Sequence, residues 1–209
     1  MRLARLDNAM IELQLNGETP VPPGKLASIV TALHMLSPPE SADLPNPIGV
    51  SLSKVLEPEV DPYLALFRQI GADWLWFSRL AMPVQAVQAI LSDPAVEIII
   101  VKRGDAEIGL LELDFRQPGD CEIAFFGFVP GETGKGLGGW LMNEGLRRAW
   151  REGINRVWIH TCTMDHPAAL TFYRRHGFVV YERAVEIVDD PRLTGVLPRD
   201  AASHVSVID

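Results

Sequence analysis

The sequence predicts an α/β (α+β) fold: a mixed, largely antiparallel central sheet flanked by helices. Three observations carry this reading. Three strand candidates between Val96 and Val129 are separated only by turn residues, and hairpin-length connections make strands antiparallel. A glycine-rich run then gives way to alternating helical and strand patterns, which adds crossover connections. Finally, 209 residues of which 47% are apolar suffice for a sizeable core.

Residues 1–24 contain Asn16-Gly17 and Pro20-Val21-Pro22-Pro23, turn and extended signals that read as an N-terminal extension. Lys25 to Leu36 is rich in β-branched and aliphatic residues and stops at Ser37-Pro38-Pro39, as a strand would. Prolines 38, 39, 45, 47, 58 and 62 make residues 37–62 mostly loop, until Tyr63 to Arg68 allows a helical turn or more. The cluster Trp74-Leu75-Trp76-Phe77 reads as rings covering a core edge. Pro83 suits the first turn of a helix that buries Val84, Val87, Ile90 and Leu91 and ends by Ser92-Asp93-Pro94.

Strands follow at Val96–Lys102, Glu107–Phe115 and Cys121–Val129, divided by Gly104-Asp105 and Gln117-Pro118-Gly119-Asp120. Beyond the glycine run come a helix over 135–151, a strand over 156–162, a helix over 167–176 and a strand over 178–188. The order is β-α-α-β-β-β-α-β-α-β. Asp189-Asp190-Pro191 marks the edge of a domain over 25–188, and 189–209 reads as a loop or covering tail.

Charge and composition exclude several classes of function. Nineteen basic against 27 acidic residues give a net charge of −8, with only four lysines, so no footprint for a nucleic-acid backbone exists. No apolar run approaches the ~20 residues of a membrane helix, and residues 1–7 lack a secretory hydrophobic region, so a cytoplasmic protein without membrane partners is expected. Cys121 and Cys162 form neither a disulfide framework nor a zinc spacing and read as reduced thiols. His160 in a strand, His166 before a helix and His176 at a helix end do not suggest a metal site. A homodimer is compatible with all of this.

Pro130-Gly131-Glu132-Thr133-Gly134-Lys135-Gly136-Leu137-Gly138-Gly139 lies between a strand and an amphipathic helix. Amides at a helix start, with glycines that let the backbone approach closely, form an anion cradle. It is not a nucleotide P-loop: the first glycine position holds Val129, and Gly136 replaces the hydroxyl residue that would bind magnesium. Gly134-x-Gly136-x-x-Gly139 matches a dinucleotide fingerprint literally, but antiparallel strands precede it and too little chain follows for a second mononucleotide half.

Thr133-x-x-Gly136-x-Gly138, after a strand and a proline, resembles the pyrophosphate loop of the GNAT superfamily of acyl-CoA-dependent N-acetyltransferases, with Thr133 in place of the usual Arg or Gln. A second segment, His166-Pro167-Ala168-Ala169-Leu170-Thr171-Phe172-Tyr173-Arg174-Arg175-His176-Gly177-Phe178, is similar to that family's Asn-x-x-Ala-x-x-Leu-Tyr-x-x-x-Gly-Phe, with His166 at the Asn position. The resemblance spans about residues 25–188 and is most specific over 121–139 and 158–178. It implies a GNAT-like fold whose strands splay at the acetyl-CoA site, and no metal. It further implies cofactor contacts from Phe126, Phe128, Val129, Thr133, Gly134, Lys135, Gly136, Leu137, Gly138, Gly139 and His166, with a strand bulge around Phe126 to Val129 that Gly127 suits.

The implied activity is transfer of an acetyl group from acetyl-CoA to a small-molecule or peptide amine. The alternative is a GNAT-like acyl-CoA-binding regulatory module without turnover. An ammonium of pKa about 10.4 costs about 4.6 kcal/mol to deprotonate at pH 7, so a base is useful. Glu122 matches the catalytic Glu of histone-type members in its spacing to Gly136, and Tyr173 falls at the family's acid position.

Overall fold

The structure is a computed structural model and describes residues 17–40 and 45–209. Most of the expected N-terminal extension, and residues 41–44 of the expected loop, lie outside the described residues. Strand β1 (Lys25–Met35) begins where expected. A second strand, β2 (Val50–Val55), then corrects the reading of 37–62 as loop. Among the described residues it pairs, antiparallel, with β3 (Val96–Arg103) alone, and its Ser51, Ser53 and Lys54 carry little strand signal.

Helix α1 (Val60–Gly71) starts earlier than expected, because Pro62 stands in its first turn, where a missing N–H costs no helical bond. Val60, Tyr63, Leu66, Phe67 and Ile70 form its buried stripe. A short 3-10 turn (Ala72–Trp74) and an irregular segment lead to α2 (Val84–Leu91), whose N-cap, rather than first turn, is Pro83. Then follow β4 (Ala106–Asp114), β5 (Asp120–Phe128), α3 (Leu137–Ala149), β6 (Arg156–Cys162), α4 (Ala169–Arg175) and β7 (Val179–Asp189).

These strands make one seven-stranded sheet in the order β2-β3-β4-β5-β6-β1-β7. All neighbours are antiparallel except β5 and β6, which run parallel. The first strand is thus inserted between the last two, where Leu33 and Met35 pair with Ile159 and Val157 on one side and Leu26 pairs with Val188 on the other.

Helices cover both faces of the sheet. Tyr63 of α1 reaches Glu112 of β4, whereas Gly145 of α3 lies against the neighbouring Leu111. Consecutive strand residues point to opposite faces, so α1 and α3 sandwich the sheet. Ile99, Val101, Leu110, Leu111, Leu113 and Leu141 are fully buried between the layers, each stabilising the fold by about 1.5–3 kcal/mol.

Within the α1 layer Glu112 is 0% exposed, accepting 2.6 Å hydrogen bonds from Tyr63 Oη and Arg79 Nη2. The Arg79 guanidinium also lies over the Phe125 ring. This buried ion pair ties the segment between the 3-10 turn and α2 to the centre of the sheet.

Residues 190–209 fold back as a covering layer. Leu197, Ala201 and Ala202 join Leu26 and Leu75 in a second, smaller core. Buried Arg192 forms a two-point ion pair with Asp190 and donates to the carbonyls of Ala201 and Val205. The Arg192 guanidinium holds Asp190 below the ordinary carboxylate range, against the opposing effect of burial. A carboxylate with a depressed folded-state pKa adds stability above its unfolded value, about 3.9, and loses it as pH falls through the folded value. Asp190→Asn is therefore expected to lower stability at pH 7 and to flatten the fall in unfolding free energy below about pH 4, as measured by urea titration at several pH values.

Candidate active site

The parallel strands β5 and β6 share only three residue pairs: Asp120 with Arg156, Cys121 with Val157 and Glu122 with Trp158. Beyond them the strands part into a V. The parting starts at a bulge: Glu112 faces Phe125 and Leu113 faces Ile123, which leaves Ala124 as the extra residue. The bulge is therefore at Ala124 and not around Gly127, which pairs in register with Leu110. Glycine is needed at 127 for another reason. A Cβ there would sit 2.7 Å from Ile70 Cγ2 and 3.1 Å from the Trp76 ring.

Backbone direction separates the residues lining the β5 arm. The amide of Val129 donates to the Ile108 carbonyl at 3.0 Å. Antiparallel bonding alternates along a strand, so Gly127 and Phe125 also bond toward β4, while the amides of Phe126 and Phe128 point into the V. Phe126 and Phe128 thus present their amides toward the open side of the V. The Val129 amide is committed to Ile108.

Past Val129 the chain turns through Gly131, Gly134 and Gly136, all at positive φ, and Gly136 at φ 80° is the N-cap of α3. A Cβ at 134 or 136 would meet no atom within 4 Å, so both positions border open space. Thr133, Gly134, Lys135 and Gly136 are exposed, whereas Leu137 is buried and pins the helix start to the core. Gly138 serves close packing, since its absent Cβ would lie 3.3 Å from the Phe172 ring, and Gly139 is half-buried beside it. Glu132 accepts bonds from Arg103 and Lys135, which hold its carboxyl below the ordinary range and bring two cations to the cradle.

Helix α4 closes the α3 side of the V. The Tyr173 ring packs among Phe126, Phe172 and Phe178, and burial pushes its pKa up, so the phenol stays protonated. Among the described residues no group hydrogen-bonds its hydroxyl. His166 Nδ1 accepts from the Ala168 amide at 3.1 Å, which orders the start of α4 and leaves Nε2 as the donor of the neutral ring. The ring stands against Trp74.

The α1 side is polar and aromatic. Asp114, opposite Glu122, shares the face of Glu112, so Glu122, Trp158 and His160 all face the α1 side. Glu122 Oε1 lies 3.4 Å from His160 Nδ1 at the vertex of the V. Trp76 packs on Phe67 and Phe125 and donates to Asp165 Oδ1, bridging the two arms. Asp165 also accepts from Thr161 Oγ1 and the Cys162 amide. Sequence reading placed the Trp cluster at a core edge and missed this bridge, because nothing local links Trp76 to Asp165. Burial raises both cysteine thiols, and neither residue is disulfide-bonded.

A family model described as the acetyltransferase (GNAT) family matches residues 63–178, more than half of the sequence. The chain belongs to the GNAT acetyltransferase family. Solved structures share the fold of this GNAT chain. A GCN5-related N-acetyltransferase from Sphaerobacter thermophilus matches 81% of the chain and 53% of its own length at 21% identity and TM-score 0.54. One from Kribbella flavida matches 82% and 63% at 18% identity and TM-score 0.53. An aminoglycoside acetyltransferase from an uncultured soil metagenomic sample matches 66% and 93% at 16% identity and TM-score 0.52. The GNAT chain thus spans about half to two thirds of the length of the first two. No curated relative matches by sequence.

Within the GNAT chain, the predicted base and acid lie on opposite faces of the parted strands, Glu122 on the α1 side and Tyr173, carried by α4, on the α3 side. Among the described residues no group of three or more His, Cys, Asp or Glu side chains could hold a metal, and no helix is long and apolar enough to cross a membrane.

Proposed function

We propose that the chain transfers an acetyl group from acetyl-CoA to a primary amine by direct attack on the thioester. The observation that carries this reading is the parting of β5 and β6 after three pairs, with a glycine cradle at its mouth and a protonated tyrosine on one face. The residues fit an acyl-CoA. Open backbone at 134–136 suits a pyrophosphate. The inward amides of Phe126 and Phe128 suit a pantetheine arm and a developing oxyanion. The bound acyl-CoA supplies an activated acyl group.

In this reading Glu122 helps remove the proton from the ammonium, and the Phe126 and Phe128 amides stabilise charge on the carbonyl oxygen. Tyr173 protonates the departing thiolate, and His166 Nε2–H is left to donate to the amide-bearing arm. Short Thr133 at a position where the family carries a long side chain favours a second reading, a GNAT-like acyl-CoA-binding regulatory module. Both readings expect coenzyme A to bind. Only the first expects thiol release when acetyl-CoA is mixed with a panel of primary amines, and its absence across a broad panel sinks the enzymatic reading.

Gly136→Val tests the cradle. A β-branched residue at φ 80° is strained by roughly 1–3 kcal/mol, and its side chain projects into the space assigned to phosphate. Calorimetry is expected to show coenzyme A affinity falling by at least about tenfold, equivalent to ~1.4 kcal/mol. Unchanged affinity removes the loop from the binding site.

A further inference from the structure

We propose that the proton acceptor at this site is the His160 imidazole, with Glu122 orienting it and stabilising its charged form; this inference rests on the acetyl-transfer reading above. Glu122 is the last β5 residue paired with β6, and His160 lies two positions beyond its partner Trp158, where the V has begun to open. Both point to the α1 side, with Nδ1 of His160 3.4 Å from Oε1 of Glu122. In the neutral ring this contact favours a proton on Nδ1, donated toward the carboxylate. Nε2 is then left with a lone pair, and no hydrogen bond to it occurs among the described residues.

The environment suits a cationic acceptor. The charged groups facing His160 are Glu122 from β5, Asp165 from the turn after β6 and Glu186 from β7, all acidic. Burial alone would lower the imidazole pKa, but these three carboxylates outweigh it and raise the value above the ordinary one of about 6.5. An incoming ammonium thus meets net negative charge beside the Trp76–Asp165 bridge. Asp165 is less suited to act as the acceptor, because both of its oxygens already accept hydrogen bonds.

The chemistry balances without another reactant. The ammonium yields one proton to Nε2, and the freed lone pair forms the C–N bond at the thioester carbonyl. Collapse breaks the C–S bond. The thiolate gains the Tyr173 proton, and the second nitrogen proton, lost as the amide forms, replaces it on the tyrosine. The imidazolium then releases its proton to solvent, so an amine cation and acetyl-CoA give an amide, a thiol and one proton.

The test is the pH dependence of kcat between pH 5.5 and 8.5 with acetyl-CoA and a primary amine that the wild type acetylates. Activity of the wild type is expected to rise with pH through the raised imidazole pKa, since the base must be neutral. His160→Gln is expected to lower kcat about 100-fold and to abolish this acidic limb. Glu122→Gln is expected to shift the limb to lower pH, because the imidazolium loses a stabilising charge, and to retain more activity than His160→Gln. Coenzyme A calorimetry and thermal unfolding confirm that both variants are folded and bind ligand.

If His160→Gln keeps wild-type kcat and its limb while Glu122→Gln is inactive, the proton goes directly to the carboxylate. The assignment is then overturned, with acetyl transfer intact. Wild-type protein that binds coenzyme A but acetylates no amine overturns the underlying reading together with this one.

Discussion

Tyr173→Phe is expected to reduce kcat about 100-fold at pH 7 while leaving coenzyme A affinity within about twofold of wild type. The ring packs among Phe126, Phe172 and Phe178, and phenylalanine preserves that packing, so folding and ligand binding should survive. The hydroxyl, by contrast, has no structural duty among the described residues. Burial pushes the pKa of this phenol up, which favours its protonated form.

An alkyl thiol has a pKa of about 8.5, so below that pH an unprotonated thiolate is the unfavourable product and a nearby acid accelerates collapse. The deficit of Tyr173→Phe should therefore shrink above about pH 8.5. Steady-state kinetics from pH 6 to 9.5 measure both effects. Turnover equal to wild type at pH 7 removes Tyr173 from the acid role.

Glu112→Ala is expected to cost about 3–5 kcal/mol of stability. Removing the carboxylate strands a guanidinium whose side chain is 12% exposed, and leaves the Tyr63 hydroxyl without its acceptor. Burial, the largest influence on the Tyr63 phenol, pushes its pKa up and persists in the variant, so the phenol does not ionise to compensate. Urea unfolding measures the loss. Replacing both ends of the pair with apolar residues, Glu112→Leu with Arg79→Met, should recover most of it, because no unpaired charge then remains. A single-variant loss below 1 kcal/mol would show that water reaches the pair. Since Arg79 belongs to the segment that carries Trp76, a weakened anchor should also raise KM for the amine more than for acetyl-CoA.

Much of the fold was legible because its signals are local. The hairpins of β3, β4 and β5 are bounded by turn residues, α3 and α4 follow helix-start signals, and Gly134 to Gly139 announce an anion cradle through glycine's backbone freedom. The missing pieces depend on distant partners. Ser51-Leu52-Ser53-Lys54 becomes a strand only because β3 offers it an edge. The bulge at Ala124 arises from the register with β4, and no glycine or other local marker points to it. Nothing near Glu112 marks it as buried: Tyr63 and Arg79, 49 and 33 residues away, supply the bonds that let it be so. Pro62 read as a stop because its position in a helical first turn is visible only once the helix is placed.

The site divides in the same way. Tyr173 and the glycine loop sit inside motifs. The Glu122–His160 contact crosses two strands that are 36 residues apart at their paired starts, Asp120 and Arg156, and so leaves no sequence pattern.

The threading of β1 has a consequence for how the polypeptide is made. During synthesis β1 leaves the ribosome well before both of its neighbours, β6 and β7. It must remain unpaired until about Cys162 has been translated, and its other edge, with Leu26, stays open until about Asp189. Long-range pairing of this kind also slows folding, since most of the loop-closure entropy is lost before any contact rewards it. Docking of this early-made strand between β6 and β7 is therefore the event that closes the sheet.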